Sequence, residues 1–220
     1  EIEPEGLQVL EEMFYPYEKQ NKEEVIRFLR KLINKSNTIA TNFQVITVSK
    51  NQAFDAVRQE VFRISSLGIS GFDTPVSGTF LEEIPYSLSG VQHTLEQIST
   101  QQSKDKSLQA IISEISSANA FLKKNTDKNT FDYVNFIPDH LNKITALLQE
   151  FKKQEQIQDV EVTTALNKNA ATFFSKNAFN PNAFTPGEEF AYSDEKARLG
   201  HQLFNDKILS NNNNRSCATC

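Results

Sequence analysis

The sequence predicts an all-α protein: an antiparallel helical bundle over residues 1–156, an irregular linker over 157–193 and a short terminal segment over 194–220. Three observations carry this reading. Apolar residues recur at steps of three and four through most of the first 155 positions, the period of a helix with one buried face. Capping residues and Gly/Pro breaks punctuate that pattern at helix-length intervals. No series of alternating runs bounded by hairpin turns occurs.

Val25, Leu29, Leu32, Ser36, Ala40, Phe43 and Thr47 mark one long amphipathic helix over roughly 22–48. Phe54, Val57, Val61, Ile64 and Leu67 mark the next, with a Ser49/Gln52 capping box before it and Gly68 at its end. The glycines at 68, 71 and 78 and Pro75 make the following stretch a loop. Thr79 and Glu82 fit a second capping box, ahead of the stripe Ile84, Leu88, Val91, Leu95 and Ile98. Pro85 falls in the first turns of that helix, where proline is tolerated best. Ser103 fits the cap of a helix that turns Leu108, Ile111, Ile115, Ala118 and Leu122 inward. After the polar turn 125–129, Val134, Ile137, Leu141, Ile144, Leu148 and Phe151 form the last stripe of the bundle. Pro138 lies inside it and predicts a kink or a new helix start. Ser193 or Asp194 can cap a short helix through Ala197, Leu199, Leu203 and Phe204.

Composition bounds the function. Hydrophobic residues make up 38% and charged residues 23%, ordinary for a globular protein. The net charge is -5 and no Lys/Arg cluster is dense enough to hold phosphates, which argues against a nucleic-acid partner. No run of 18 apolar residues exists, so no transmembrane segment is expected. The start, Glu1-Ile2-Glu3-Pro4-Glu5, carries no signal-peptide features, as expected of a processed or trimmed chain. The two cysteines, Cys217 and Cys220, are local to each other, so no disulfide framework holds the fold.

Cys217-Ala218-Thr219-Cys220 is a C-x-x-C pair, and three chemistries use one. A tetrahedral zinc site needs further ligands, and His93, His140 and His201 lack ligand-pair spacing to the cysteines. A redox dithiol of the thioredoxin type follows a strand and opens a helix, but an Asn-rich loop (211–214) precedes this pair. A c-type haem site is C-x-x-C-H, whose histidine ligates the iron. Here the chain stops where that histidine stands in the motif.

The context resembles a known family. Leu199, Gly200, Leu203, Phe204, Asp206, Leu209 and Ser210, a polar loop, then Ser216, Cys217, Ala218 and Cys220 match the opening of the bacterial di-haem cytochrome c peroxidases, L-G-x-x-L-F-x-D-x-x-L-S and then S-C-A-x-C-H. Asn180-Pro181-Asn182-Ala183-Phe184 is similar to the lead-in of that segment. The resemblance implies that 194–220 is the truncated start of a c-type cytochrome domain, with Cys217 and Cys220 as the covalent haem c attachment points and the axial histidine beyond the chain. It implies a parent enzyme that reduces hydrogen peroxide to water with electrons from a small donor protein. Covalent haem attachment of this kind takes place outside the cytoplasm, so the expected location is the periplasm. The fragment itself is expected to bind no haem and to be inactive.

The bundle carries a second resemblance. Gly6-Leu7-Gln8-Val9-Leu10-Glu11 resembles the G-x-H-x-x-E motif of imelysin-like helical proteins, and Gly71-Phe72-Asp73-Thr74-Pro75 resembles a loop of that group. Gln8 stands in place of the histidine, and an amide is a poorer ligand for a transition metal. Two readings of Gln8 and Glu11 follow: a metal site, or a hydrogen-bonded polar pair on one helix face inside the bundle. The alternative function is accordingly an imelysin-like envelope module that binds iron, haem or a partner protein. In a third reading the bundle docks onto downstream haem domains. His93 is expected at the surface, His140 half buried near the kink, and His201 at the surface.

Overall fold

A computed structural model describes residues 4–100 and 105–220. Every regular element among the described residues is helical. The chain divides into two compact units, Glu1–Val160 and Glu161–Cys220.

The first unit is built on four helices: α3 (Lys50–Arg63), α4 (Phe80–Ile98), α5 (Lys106–Lys124) and α7 (Asn142–Gln154). Each packs on its neighbour along the chain, and α7 closes the ring against α3. The predicted stripes of α4 and α5 form the centre of the core, with Leu88, Leu95, Ile111, Ile115 and Ala118 fully buried. The Ser49/Gln52 capping box is present, with each residue bonding the other's backbone N–H. The box predicted at Thr79 and Glu82 is not: Thr79 Oγ1 donates to the Glu83 carboxylate at 2.8 Å instead of accepting from the first turn. The cap read at Ser103 falls outside the described residues. Asp105 is the N-cap of α5, accepting from the Ser107 and Leu108 N–H groups.

Two stripes change face partway along, for one reason. The chain makes a π-helical turn at Ile64–Gly68 after α3, and another at Ile137–Leu141 between α6 (Tyr133–Phe136) and α7. A π turn steps by five residues rather than four, so each later apolar residue arrives one position late. Ile69 is therefore buried and Leu67 exposed; Phe136 is buried and Val134 is 80% exposed. The Ile69 N–H donates to Ile64 O at 3.0 Å, closing the first of these turns. In the second, Pro138 has no N–H to give to Val134 O, and the chain passes through a wider turn there.

The N-terminal helices depart further from expectation. α1 spans Leu7–Phe14, and α2 spans Lys22–Phe43 rather than 22–48. The run Val45-Ile46-Thr47-Val48 is β-branched at every position, which weakens helix propensity and ends α2 early. Only Val25 and Phe28 of α2 are buried; Ile33, Ile39 and Phe43 are exposed. The second half of the predicted inward stripe is thus an open apolar face.

Beneath the ring, two buried carboxylates tie α4, α5 and α7 together. Asp105 Oδ1 accepts from the Ser107 and Leu108 N–H groups and from Gln154 Nε2, at 2.8–3.0 Å. Glu155 pairs with Lys50 and accepts from Thr100 N–H at 3.0 Å. Burial pushes the Glu155 carboxyl up, but the Lys50 ammonium and the two Thr100 donors outweigh it and hold the pKa below its ordinary value of 4.5. Asp105 is likewise lowered: burial raises it, and the Ser107, Leu108 and Ser99 donors more than compensate. A depressed carboxyl contributes stability that is complete above its unfolded pKa and is lost as pH falls through the folded one. Acid unfolding followed by circular dichroism is therefore expected to begin below about pH 4.5. Glu155→Gln is expected to cost about 3 kcal/mol at pH 7 and to flatten that acid limb, because Lys50 then lacks its counter-charge. A variant with unchanged stability and an unchanged acid limb contradicts this assignment.

The second unit is held by a short antiparallel bridge between Leu166 and Phe179, with Phe173 stacked on Phe179 at 5.7 Å. Its one long element is α8 (Asp194–Asn205), capped by Ser193 Oγ accepting from the Lys196 N–H.

Candidate functional site

The terminal segment is a chain of local caps that end on the cysteine pair. After α8, Asp206 Oδ1 accepts from Ile208 N–H at 2.9 Å and fixes a 3₁₀ turn at Lys207–Leu209. Ser210 Oγ donates to Lys207 O at 2.9 Å and accepts from Arg215 N–H at 3.3 Å, drawing the asparagine loop closed. Within that loop Asn213 takes φ 55°, a left-handed conformation that asparagine tolerates. Ser216 and Thr219 form a capping box around the last turn, Cys217–Thr219, and Ser216 N–H donates to Thr219 Oγ1 at 2.9 Å.

Cys217 and Cys220 are free and exposed. In a 3₁₀ turn, side chains three apart eclipse, so this spacing sets both thiols on one side of the turn. The turn packs on α8, whose Leu199, Leu203 and Phe204 are exposed. His201 is also exposed on that helix. Both thiols are open, and the turn that carries them packs on a helix with uncovered apolar side chains. Among the described residues no three His, Cys, Asp or Glu side chains stand close enough to share a metal ion.

The structure separates Gln8 and Glu11 from the expected mutual pair. Both lie on α1, and both reach across to the 72–77 loop: Gln8 Nε2 donates to Phe72 O at 3.0 Å, and Glu11 Oε1 accepts from Ser77 N–H at 2.8 Å and from the Ser77 hydroxyl. The Ser77 hydroxyl beside Glu11 outweighs burial and holds its carboxyl below the ordinary range. The two sequence stretches that carry the imelysin-like resemblance are thus in contact. Gly71 makes the loop possible: it takes φ 76°, and a side-chain carbon there meets the Phe80 ring at 3.3 Å.

Around this contact lies a cleft that the sequence did not announce, lined also by Arg63, Asp73, Thr74, Thr79 and Glu83. Its polar residues come from α1, the end of α3, the loop and the start of α4. No local spacing connects them. His140, half buried as expected, bonds Glu114 at 2.7 Å through Nδ1, and His93 is exposed.

The family model described as di-haem cytochrome c peroxidase matches residues 194–220. No curated protein matches the chain. No solved structure matches it. The imelysin-like resemblance of the first unit receives no support from these comparisons. Among the described residues no helix is long and apolar enough to cross a membrane.

Proposed function

We propose that residues 194–220 open the first haem domain of a di-haem peroxidase, and that the helical unit of residues 1–160 is an N-terminal extension of that enzyme. One observation carries the proposal: the segment that matches the peroxidase family ends in two free, exposed thiols on a single capped turn. Cys217 and Cys220 would hold the porphyrin as thioethers, and a histidine directly after Cys220 would supply an imidazole to the iron. The Ser216/Thr219 box and the Ser210 bonds fix the turn before attachment, so little ordering remains to be done when the thiols react. Leu199, Leu203 and Phe204 offer the apolar surface that the haem and its domain cover. When bound, haem c supplies an iron that reduces hydrogen peroxide to water with electrons from a small donor protein. Attachment of this type places the enzyme outside the cytoplasm, in the periplasm.

The test is production of the complete gene product in a host that matures c-type cytochromes. The expected result is covalent haem, seen by peroxidase staining of a denaturing gel and by a Soret band, with peroxide reduction supported by a reduced donor. A complete product with no covalent haem, or with another residue after Cys220, overturns the proposal.

A further inference from the structure

The α1 cleft has its own unfilled requirement, independent of the haem reading and confined to the first unit. It is open, with a volume of about 520 Å³. Two of its polar atoms, Glu11 Oε2 and Thr74 Oγ1, are buried without a hydrogen bond of good geometry, although the Val76 backbone N–H stands near enough to Glu11 to help lower its carboxyl. Thr74 is only 9% exposed, so its hydroxyl faces an environment in which an unmade hydrogen bond is costly.

Ser77 gives its only hydroxyl proton to Glu11, and Thr79 gives its own to Glu83. The two hydroxyl oxygens stand 3.0 Å apart with no third proton to share. The cleft also carries three carboxylates, Glu11, Asp73 and Glu83, against the single cation Arg63. Arg63 is already engaged by Asp73 and by Glu60 outside the cleft. What remains is excess negative charge, with the Glu11 Oε2 acceptor unpaired and the Thr74 hydroxyl, which can donate one proton and accept, also without a partner.

We propose that this cleft binds a primary ammonium group carried on a short apolar chain. An ammonium brings three N–H donors in a compact head, which matches acceptors spread over Glu11, Thr74 and the Ser77–Thr79 pair. A bare metal ion fits less well, since no three ligating side chains among the described residues converge. Leu7, Leu10, Phe14 and Tyr15 line the rest of the cleft and suit the apolar chain.

The experiment titrates the intact 220-residue protein at neutral pH with n-pentylammonium chloride, by calorimetry and amide NMR, with pentan-1-ol and pentanoate as controls. A second arm uses a blocked Gly-Lys-Gly tripeptide, to separate a free amine from a lysine side chain as the source. Saturable amine binding in the millimolar range or tighter is expected, with no binding of the alcohol or the acid. Tighter binding of the tripeptide assigns the group to a protein chain, and tighter binding of the free amine assigns it to a small molecule. Glu83→Gln is expected to weaken binding about tenfold and Thr74→Val severalfold, with thermal unfolding unchanged. Glu11→Gln adds to this only if α1 stays docked, since Glu11 also holds the loop. The proposal falls if neither amine saturates the protein, if affinity is the same in Glu83→Gln and Thr74→Val, or if calcium or ferrous iron fills the cleft while the amines do not.

Discussion

Replacing Cys217 and Cys220 by alanine is expected to abolish covalent haem in the complete protein while leaving the chain described above as stable as before. The two halves of this result have separate causes. Both thiols are free and exposed. Surface substitutions away from packing and caps fall within about 0.5 kcal/mol, so the melting curve of the 220-residue chain should not move. Attachment, in contrast, has no substitute chemistry, because a methyl side chain forms no thioether. Single variants separate the two bonds: each is expected to retain at most one attachment, with a shifted absorbance spectrum and less haem retained after denaturation. Ser216→Ala is the informative control. It removes the cap that positions the turn but neither thiol, so haem should still attach, more slowly or in lower yield. Full covalent haem in the double alanine variant removes the assignment of these cysteines altogether.

The sequence was most legible where chemistry is local. The cysteine pair and Leu199, Leu203 and Phe204 lie within one short segment, so the resemblance to the peroxidase opening could be read there, although spacing alone left zinc, dithiol and haem chemistry open. The stripes of α4 and α5 were readable for the same reason: a regular helix maps sequence period directly onto a buried face. Reading failed where register depends on something outside the local period. A four-residue step predicts Val134 and Leu67 inward, but the π turns at Ile137–Leu141 and Ile64–Gly68 substitute Phe136 and Ile69. In one case Pro138 signalled trouble without saying how the backbone would resolve it. Thr79 failed as a cap because a nearby carboxylate, Glu83, competed for its hydroxyl. The α1 cleft was invisible, because Gln8, Glu11, Thr74, Ser77 and Glu83 meet only through tertiary packing. The open face of α2 is the converse case: its period predicted burial, but only Val25 and Phe28 are buried.

The register shift at Pro138 makes the largest stability prediction. Phe136 is 0% exposed and sits at the centre of an aromatic group. Its ring lies 5.5 Å from Phe121, 5.3 Å from Phe131 and 5.6 Å from His140, centroid to centroid. Phe136→Ala removes the transfer free energy of a fully buried ring and leaves a cavity walled by rigid aromatics that cannot collapse into it. Buried phenylalanine truncations cost about 3–5 kcal/mol, and the rigid walls place this one near the upper end. Val134→Ala, two residues earlier, is expected to cost less than about 0.5 kcal/mol, because an 80% exposed side chain gives up little contact. A plain α-helix through this stretch predicts the opposite order, since residue 134 then belongs to the stripe of Leu141, Ile144 and Leu148. Urea unfolding of the two variants decides between the registers. Equal costs, or a larger cost at Val134, show that the π turn does not set the packing of α7. A large loss at Phe136 alone shows that the π-turn register, and not the plain α-helical one, decides which residues of this stretch become core.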